Sequence, residues 1–124
     1  MRMRRSRKGN YYARKRETVK DREGNTHTEY ADAVPFTGEI WPGGGKVQAE
    51  TYGEKLSYVR NIRIDGKYTI ETDSDGKARY IYPDGLELME SDGLCLYCSG
   101  ESHPDYKVNA IKPYRQLVLE AVKL

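Results

Sequence analysis

Short alternating runs of apolar and polar residues, separated by turn-forming residues, run through most of this chain. A period of two marks strands half-buried against a core, and the turns between them mark antiparallel neighbours. "YYARKRETVK" (11–20) reads as one long strand, "DREGN" as a turn, and "THTEY" (26–30) as the returning strand of a first hairpin. "VPFTGEIW" (34–41) is the next strand, ended by Pro42 and three glycines, since Pro cannot donate to a ladder and Gly offers no side chain to pack. From Leu56 the alternation resumes, with Leu56, Tyr58, Ile62 and Ile64 on one face and Ser57, Asn61, Arg63 and Asp65 on the other.

"KYTIET" and "KARYIY" flank "DSDG", and "GLELME" and "GLCLYC" flank "SDG", so each set predicts a hairpin. "YKVNAIK" and "LVLEAVKL" form a last pair joined at "PYRQ". Eight or nine short strands in one chain fit a small barrel or a compact sandwich. "GGGKVQAETYGEKLS" (43–57) stands outside this scheme: Gly53 interrupts its helix formers and no apolar stripe forms, which predicts a mobile loop with one helical turn at most. Loops of this length inside small domains are commonly functional.

The chain has 124 residues, enough for one domain with one modest core. Leu, Ile, Val and Phe number only 22, but 11 Tyr add buried ring area while keeping their hydroxyls at the wet edge, so the core is thin and rimmed by tyrosine. The formal net charge of +2 hides an asymmetry. Residues 1–16 hold eight of the 21 basic residues and no acid, which leaves 13 basic against 19 acidic residues, a net of −6, in the other 108. A cationic arm on an acidic body can meet phosphate, or the acidic face of a second copy. A solvated tail is the plain reading of the same run. No apolar run of signal-peptide or transmembrane length is present, so the expected site of synthesis is the cytoplasm.

Catalytic and metal chemistry find little support. Cys95, Cys98 and His103 supply three zinc donors where a structural site needs four, and His27 is remote in sequence. On a continuous strand Cys95 and Cys98 face opposite ways, about 10 Å apart along the chain, too far for a disulfide. Asp73, Asp75, Asp84 and Asp92 sit in turns that explain them, and "GGGK", read in a hairpin context, is not expected to be followed by the helix that a phosphate cradle requires. The reading is therefore non-enzymatic, with no cofactor and no metal. Nucleic-acid binding has more behind it: Arg2, Arg4, Arg5, Arg7 and Lys8 lie close to Tyr11 and Tyr12, and small β-barrels bind single strands. Against it stand the acidic body and the absence of an RNP-like aromatic strand.

The run "GEIWPGGGKVQAETYGEKLSYVRNIRIDGKY" (38–68) resembles the central signature of the head-tail adaptor, or head closure, proteins of tailed bacteriophages and of prophages in Gram-positive bacteria. The order W-P, a small-residue patch, K-x-Q-A-E-x-Y-G and then an alternating strand carries the likeness. It extends through "KDREGNTHTEY" and "SDGLCLYCSGESHPDYKVNAIKPYRQLVLEAVKL" and so covers most of the chain. The resemblance implies an all-β fold, a small antiparallel β-barrel (11–124) with a long early loop (43–56) and a basic N-terminal arm (1–10). It implies a virion neck protein, assembled in the bacterial host cytoplasm. Such a protein docks as a ring of its own copies between the portal or adaptor above and a tail-completion protein below, and holds packaged double-stranded DNA with no membrane involved. Carried onto this chain, the channel loop comprises Gly43, Gly44, Gly45, Lys46, Gln48, Glu50, Tyr52, Gly53, Glu54 and Lys55, with the three glycines as a flexible root. Trp41 and Pro42 anchor it, although Trp41 also reads as plain core filler. Lys46, Lys55 and Arg60 approach phosphate, Glu50 and Glu54 meet a neighbour or repel DNA, and Arg2, Arg4, Arg5, Arg7 and Lys8 contact DNA or a neighbouring subunit. A small β-barrel nucleic-acid-binding protein is the alternative.

Overall fold

A computed structural model describes residues 8–124, so Arg2, Arg4, Arg5 and Arg7 lie outside the described residues. In chain order β1 (Lys8–Arg14) precedes a ribbon of β2 (Arg16–Lys20) and β3 (Thr26–Tyr30), then β4 (Val34–Pro42). A helix, α1 (Lys46–Tyr52), and a 3₁₀ segment (Gly53–Tyr58) lead into β5 (Val59–Ile64). β6 (Thr69–Thr72), β7 (Ala78–Ile81) and β8 (Glu87–Leu88) form a three-stranded sheet, and β9 (Gly93–Cys95), β10 (Tyr106–Pro113) and β11 (Leu117–Lys123) complete the chain. Six strands close into an antiparallel barrel in the order β1-β4-β5-β11-β10-β9. The all-β small barrel is thus the observed fold.

Alternation builds the interior. Ala13, Phe36, Ile62, Ile64, Leu94, Val108, Ile111, Leu117, Leu119 and Ala121 point inward and are buried. Tyr80 and Leu88 from the three-stranded sheet, with Tyr82 and Leu86 from the turn between β7 and β8, join the same core, so that sheet packs onto the barrel rather than forming a core of its own. Tyr82 donates to the carbonyl of Ile64 at 3.3 Å, and Tyr68 to that of Tyr114 at 2.5 Å. The rings supply apolar area and the hydroxyls satisfy backbone acceptors, which is how a core poor in aliphatic residues is filled. Gly38 gives β4 a close approach to β5: a Cβ there would lie 3.0 Å from Ile62 Cγ2 and 3.2 Å from the Arg63 carbonyl, so its neighbours would have to give way.

Several sequence expectations change. The run 11–20 is two strands, since the Arg14 guanidinium binds the carbonyls of Tyr30, Ala31 and Ser102 and turns the chain out of the barrel at Lys15. The "GLELME"/"GLCLYC" pair is not a hairpin: β8 pairs with β7, whereas β9 pairs with β1 and β10. The turn at Asp92 separates the two, its carboxylate accepting from the amides of Met89 and Arg16 at 2.9 and 3.3 Å. Leu56 and Tyr58 belong to the 3₁₀ segment, and Val59 and Asn61 are buried opposite Ile62 and Ile64, so both faces of β5 are covered. Lys8, Gly9 and Asn10 are paired with Glu39, Gly38 and Thr37, so the last three residues of the basic arm belong to the barrel wall.

Candidate functional site

The segment expected as a mobile loop is ordered into α1 and the 3₁₀ segment, so a helix of seven residues does follow the three glycines where none was expected after "GGGK", and the segment is held against the barrel by polar side chains. Gln48 is its fixed point. Gln48 is buried, accepts from the Gly44 amide at 2.9 Å, and exchanges hydrogen bonds of 2.7 and 3.1 Å with Asn61 of β5. Val47, its apolar neighbour, is 76% exposed, so α1 docks without an apolar stripe. Further along, the Tyr52 hydroxyl accepts at 2.8 Å from Asn109, the outward-facing residue of β10 at which the register shifts between Val108 and Ala110.

Beneath lies Glu120 of β11, nearly buried and 3.3 Å from the Lys112 ammonium. Burial works against its ionisation, yet hydrogen bonds from Tyr52, Lys112 and Gln48 together hold its carboxyl below the ordinary value. The Tyr52 hydroxyl is raised in turn, by burial and then by its bond to Glu120. Trp41, Lys46, Gln48, Tyr52, Lys112 and Tyr114 are among the residues lining a groove of about 600 Å³ between α1 and the barrel wall.

The three glycines at the root have separate reasons. A Cβ on Gly43 would lie 2.8 Å from Val59 Cβ and 3.0 Å from the Leu56 carbonyl, so close packing demands glycine there. Gly45 has φ of +84° and starts α1, a conformation in which side chains are strained. Only Gly44 meets neither constraint. Trp41 is 39% exposed and borders the groove; it is not core filler, and Pro42 beside it is exposed.

Lys46, Glu50, Glu54 and Lys55 are exposed on this excursion, and Gly53 ends α1 with φ of +55°. Arg60 is committed instead: it donates to the carbonyls of Ser57 and Val59, both at 2.9 Å, and closes the end of the 3₁₀ segment. Lys8 lies 2.6 Å from Asp65, whose other oxygen meets Arg63 at 3.1 Å, and Arg63 continues to Glu39 at 2.9 Å. The Lys8 hydrogen bond is the main reason the Asp65 carboxyl is lowered. The last basic residue of the arm therefore meets a carboxylate of its own barrel.

Sequence reading missed Asn61, Asn109, Lys112 and Glu120 as partners of the excursion. The available signal was Glu120 itself, a carboxylate at an outward position of an otherwise apolar strand, which becomes buried only if something polar covers it. Cys95 and Cys98 also differ from expectation. β9 stops at Cys95 and the chain bends, so the two thiols are neighbours, both free. Burial, then the adjacent Cys98 thiol, pushes Cys95 up to about 12. Among the described residues no group of three or more His, Cys, Asp or Glu is arranged to hold a metal ion, and no helix is long and apolar enough to cross a membrane. No protein-family model, curated protein or solved structure matches the chain.

Proposed function

We propose that this chain is a structural neck protein of a tailed phage or prophage, docking as a ring of its own copies under the portal or adaptor, closing the filled head and forming the platform for the tail. It acts there without catalytic groups or a cofactor, in contact with packaged double-stranded DNA and with a tail-completion protein below. The observation that carries the reading is the polar docking of the α1 and 3₁₀ excursion between adjacent barrel strands β4 and β5. A segment held by hydrogen bonds that water can replace detaches at lower cost than one held by buried apolar surface. A loop that differs between retained and released DNA needs that property. The stretch that makes the excursion is also the stretch in which the resemblance to head closure proteins is densest.

Electron microscopy of particles made after deleting the gene tests the proposal. The expected result is tailless heads, emptied or leaking DNA, beside separately assembled tails. Normal tailed virions overturn it.

A further inference from the structure

The β2–β3 ribbon stands apart as a two-stranded sheet of its own: among the described residues its strands pair only with each other, and with neither the barrel nor the three-stranded sheet. Its base is fixed by Arg14 at the carbonyls of Tyr30 and Ala31, by the Ala31 amide at the Lys15 carbonyl, 2.8 Å, and by the Arg16 amide at Asp92. Beyond that base, from Glu17 to Glu29, only Val19 is even half-buried. An isolated two-stranded ribbon is marginal in water.

Its register sorts the charges by sign. Directly opposed residues of an antiparallel pair share a face, and the pairs are Arg16 with Tyr30, Glu17 with Glu29, Thr18 with Thr28, Val19 with His27, and Lys20 with Thr26. One face therefore carries Arg16, Lys20 and three threonines, with Arg16 reaching Thr28 Oγ1 at 3.4 Å across it. The other carries Glu17, Glu29, Val19 and His27, with His27 Nε2 2.8 Å from Glu29. Glu17 directly opposite Glu29 is a like-charge pair that weakens the ribbon by itself and gains from an external cation.

We propose that the ribbon is a contact between copies of this chain, in which the Glu17 and Glu29 face of one ribbon receives the Arg16 and Lys20 face of the next. The complementarity is carried by two different faces of one element, so the contact is head-to-tail. Such a contact propagates, and it closes into a ring when the rotation per copy allows. A polyanion would pair with the cationic face and leave the carboxylates opposed, whereas a second copy satisfies both faces at once.

For the ring it deepens, the proposal rests on the neck reading, but its test needs no particles. Sedimentation velocity of the full chain at low salt, from low micromolar to near millimolar concentration, is expected to show association that weakens as added salt shortens the Debye length from about 10 Å at 0.1 M to about 3 Å at 1 M. Glu17→Lys with Glu29→Lys, or Arg16→Glu with Lys20→Glu, is expected to weaken self-association about tenfold or more, since each leaves two faces of one sign. Mixing the two double variants restores association, and so does combining all four reversals in one chain, which also shows that the ribbon still forms. A chain that stays monomeric throughout overturns the proposal, as does association indifferent to both reversals, or a monomer that instead binds short duplex DNA through Arg16 and Lys20. Tail joining lost on gene deletion together with a monomeric chain sinks only the ribbon contact; association together with normal tailed virions sinks only the neck role.

Discussion

Gly43 and Gly44 are adjacent and chemically identical, yet the structure asks different things of them. Gly43→Ala places a methyl against Val59 and the Leu56 carbonyl, where backbone must shift, and is expected to cost about 1–3 kcal/mol. Gly44→Ala meets open space and a backbone with no positive φ, so it is expected to be neutral or to stabilise by about 0.4–1 kcal/mol through the unfolded chain. Urea midpoints of the two variants check this, and equal effects would return the triplet to the role of a mere flexible root. The triple glycine was legible as a break in the strand, because no side chain means no packing. Its division of labour was not, because what crowds Gly43 is Val59, a residue 16 positions along that sequence spacing alone does not bring near. Arg60 shows the same limit: its charge is visible in the sequence, but its carbonyl partners depend on the 3₁₀ segment that Gly53 begins.

At the scale of elements, strands were readable where one face is buried and the other wet, as in β4 and, on either side of its register shift, β10, since there a period of two is written directly in the residues. The readings that changed are those where tertiary partners override the pattern. β8 and β9 look like two arms of a hairpin, but Asp92 binds amides from both the turn and β2 and sends them to different sheets. The α1 excursion has no apolar stripe because its buried contact is an amide, so hydrophobic periodicity carries no trace of it. Gln48→Ala therefore tests the docking: it leaves Asn61 buried with its best partner gone and is expected to destabilise attachment by about 1–3 kcal/mol. Trp41, the only Trp, borders the same groove, so its emission is expected to move to longer wavelength in the variant before the barrel unfolds. An unchanged emission spectrum and an unchanged midpoint would show that other contacts hold α1.

Across the whole molecule, carboxylates tie the parts together, and their titration has a net sign. Glu87 joins Lys15 at the ribbon base to Arg79 of the sheet, at 3.0 and 2.7 Å, and the Lys15 hydrogen bond is first among the causes that lower its carboxyl. Glu120 ties α1 to the barrel, Asp65 ties β1 to β5, and both are also lowered. A carboxyl depressed in the folded state contributes stability that is complete above its unfolded value, 4.5 for Glu and 3.8 for Asp, and is lost as pH falls through the folded value. Asp92 has the opposite sign: burial outweighs its backbone hydrogen bonds and raises it, so protonating it favours the folded state and offsets part of the loss. Glu87 and Asp65 are partly solvated and screened, which leaves Glu120 as the main contributor. The urea midpoint is accordingly expected to be level through neutral pH and to fall below about pH 4.5. Glu120→Gln should flatten that fall, while Asp92→Asn, by removing the offset, should steepen it even though its own baseline drops with the lost acceptor. Parallel curves for the wild type and both variants would mean that the acid transition belongs to other carboxylates, and that neither the excursion nor the Asp92 turn governs how the molecule comes apart.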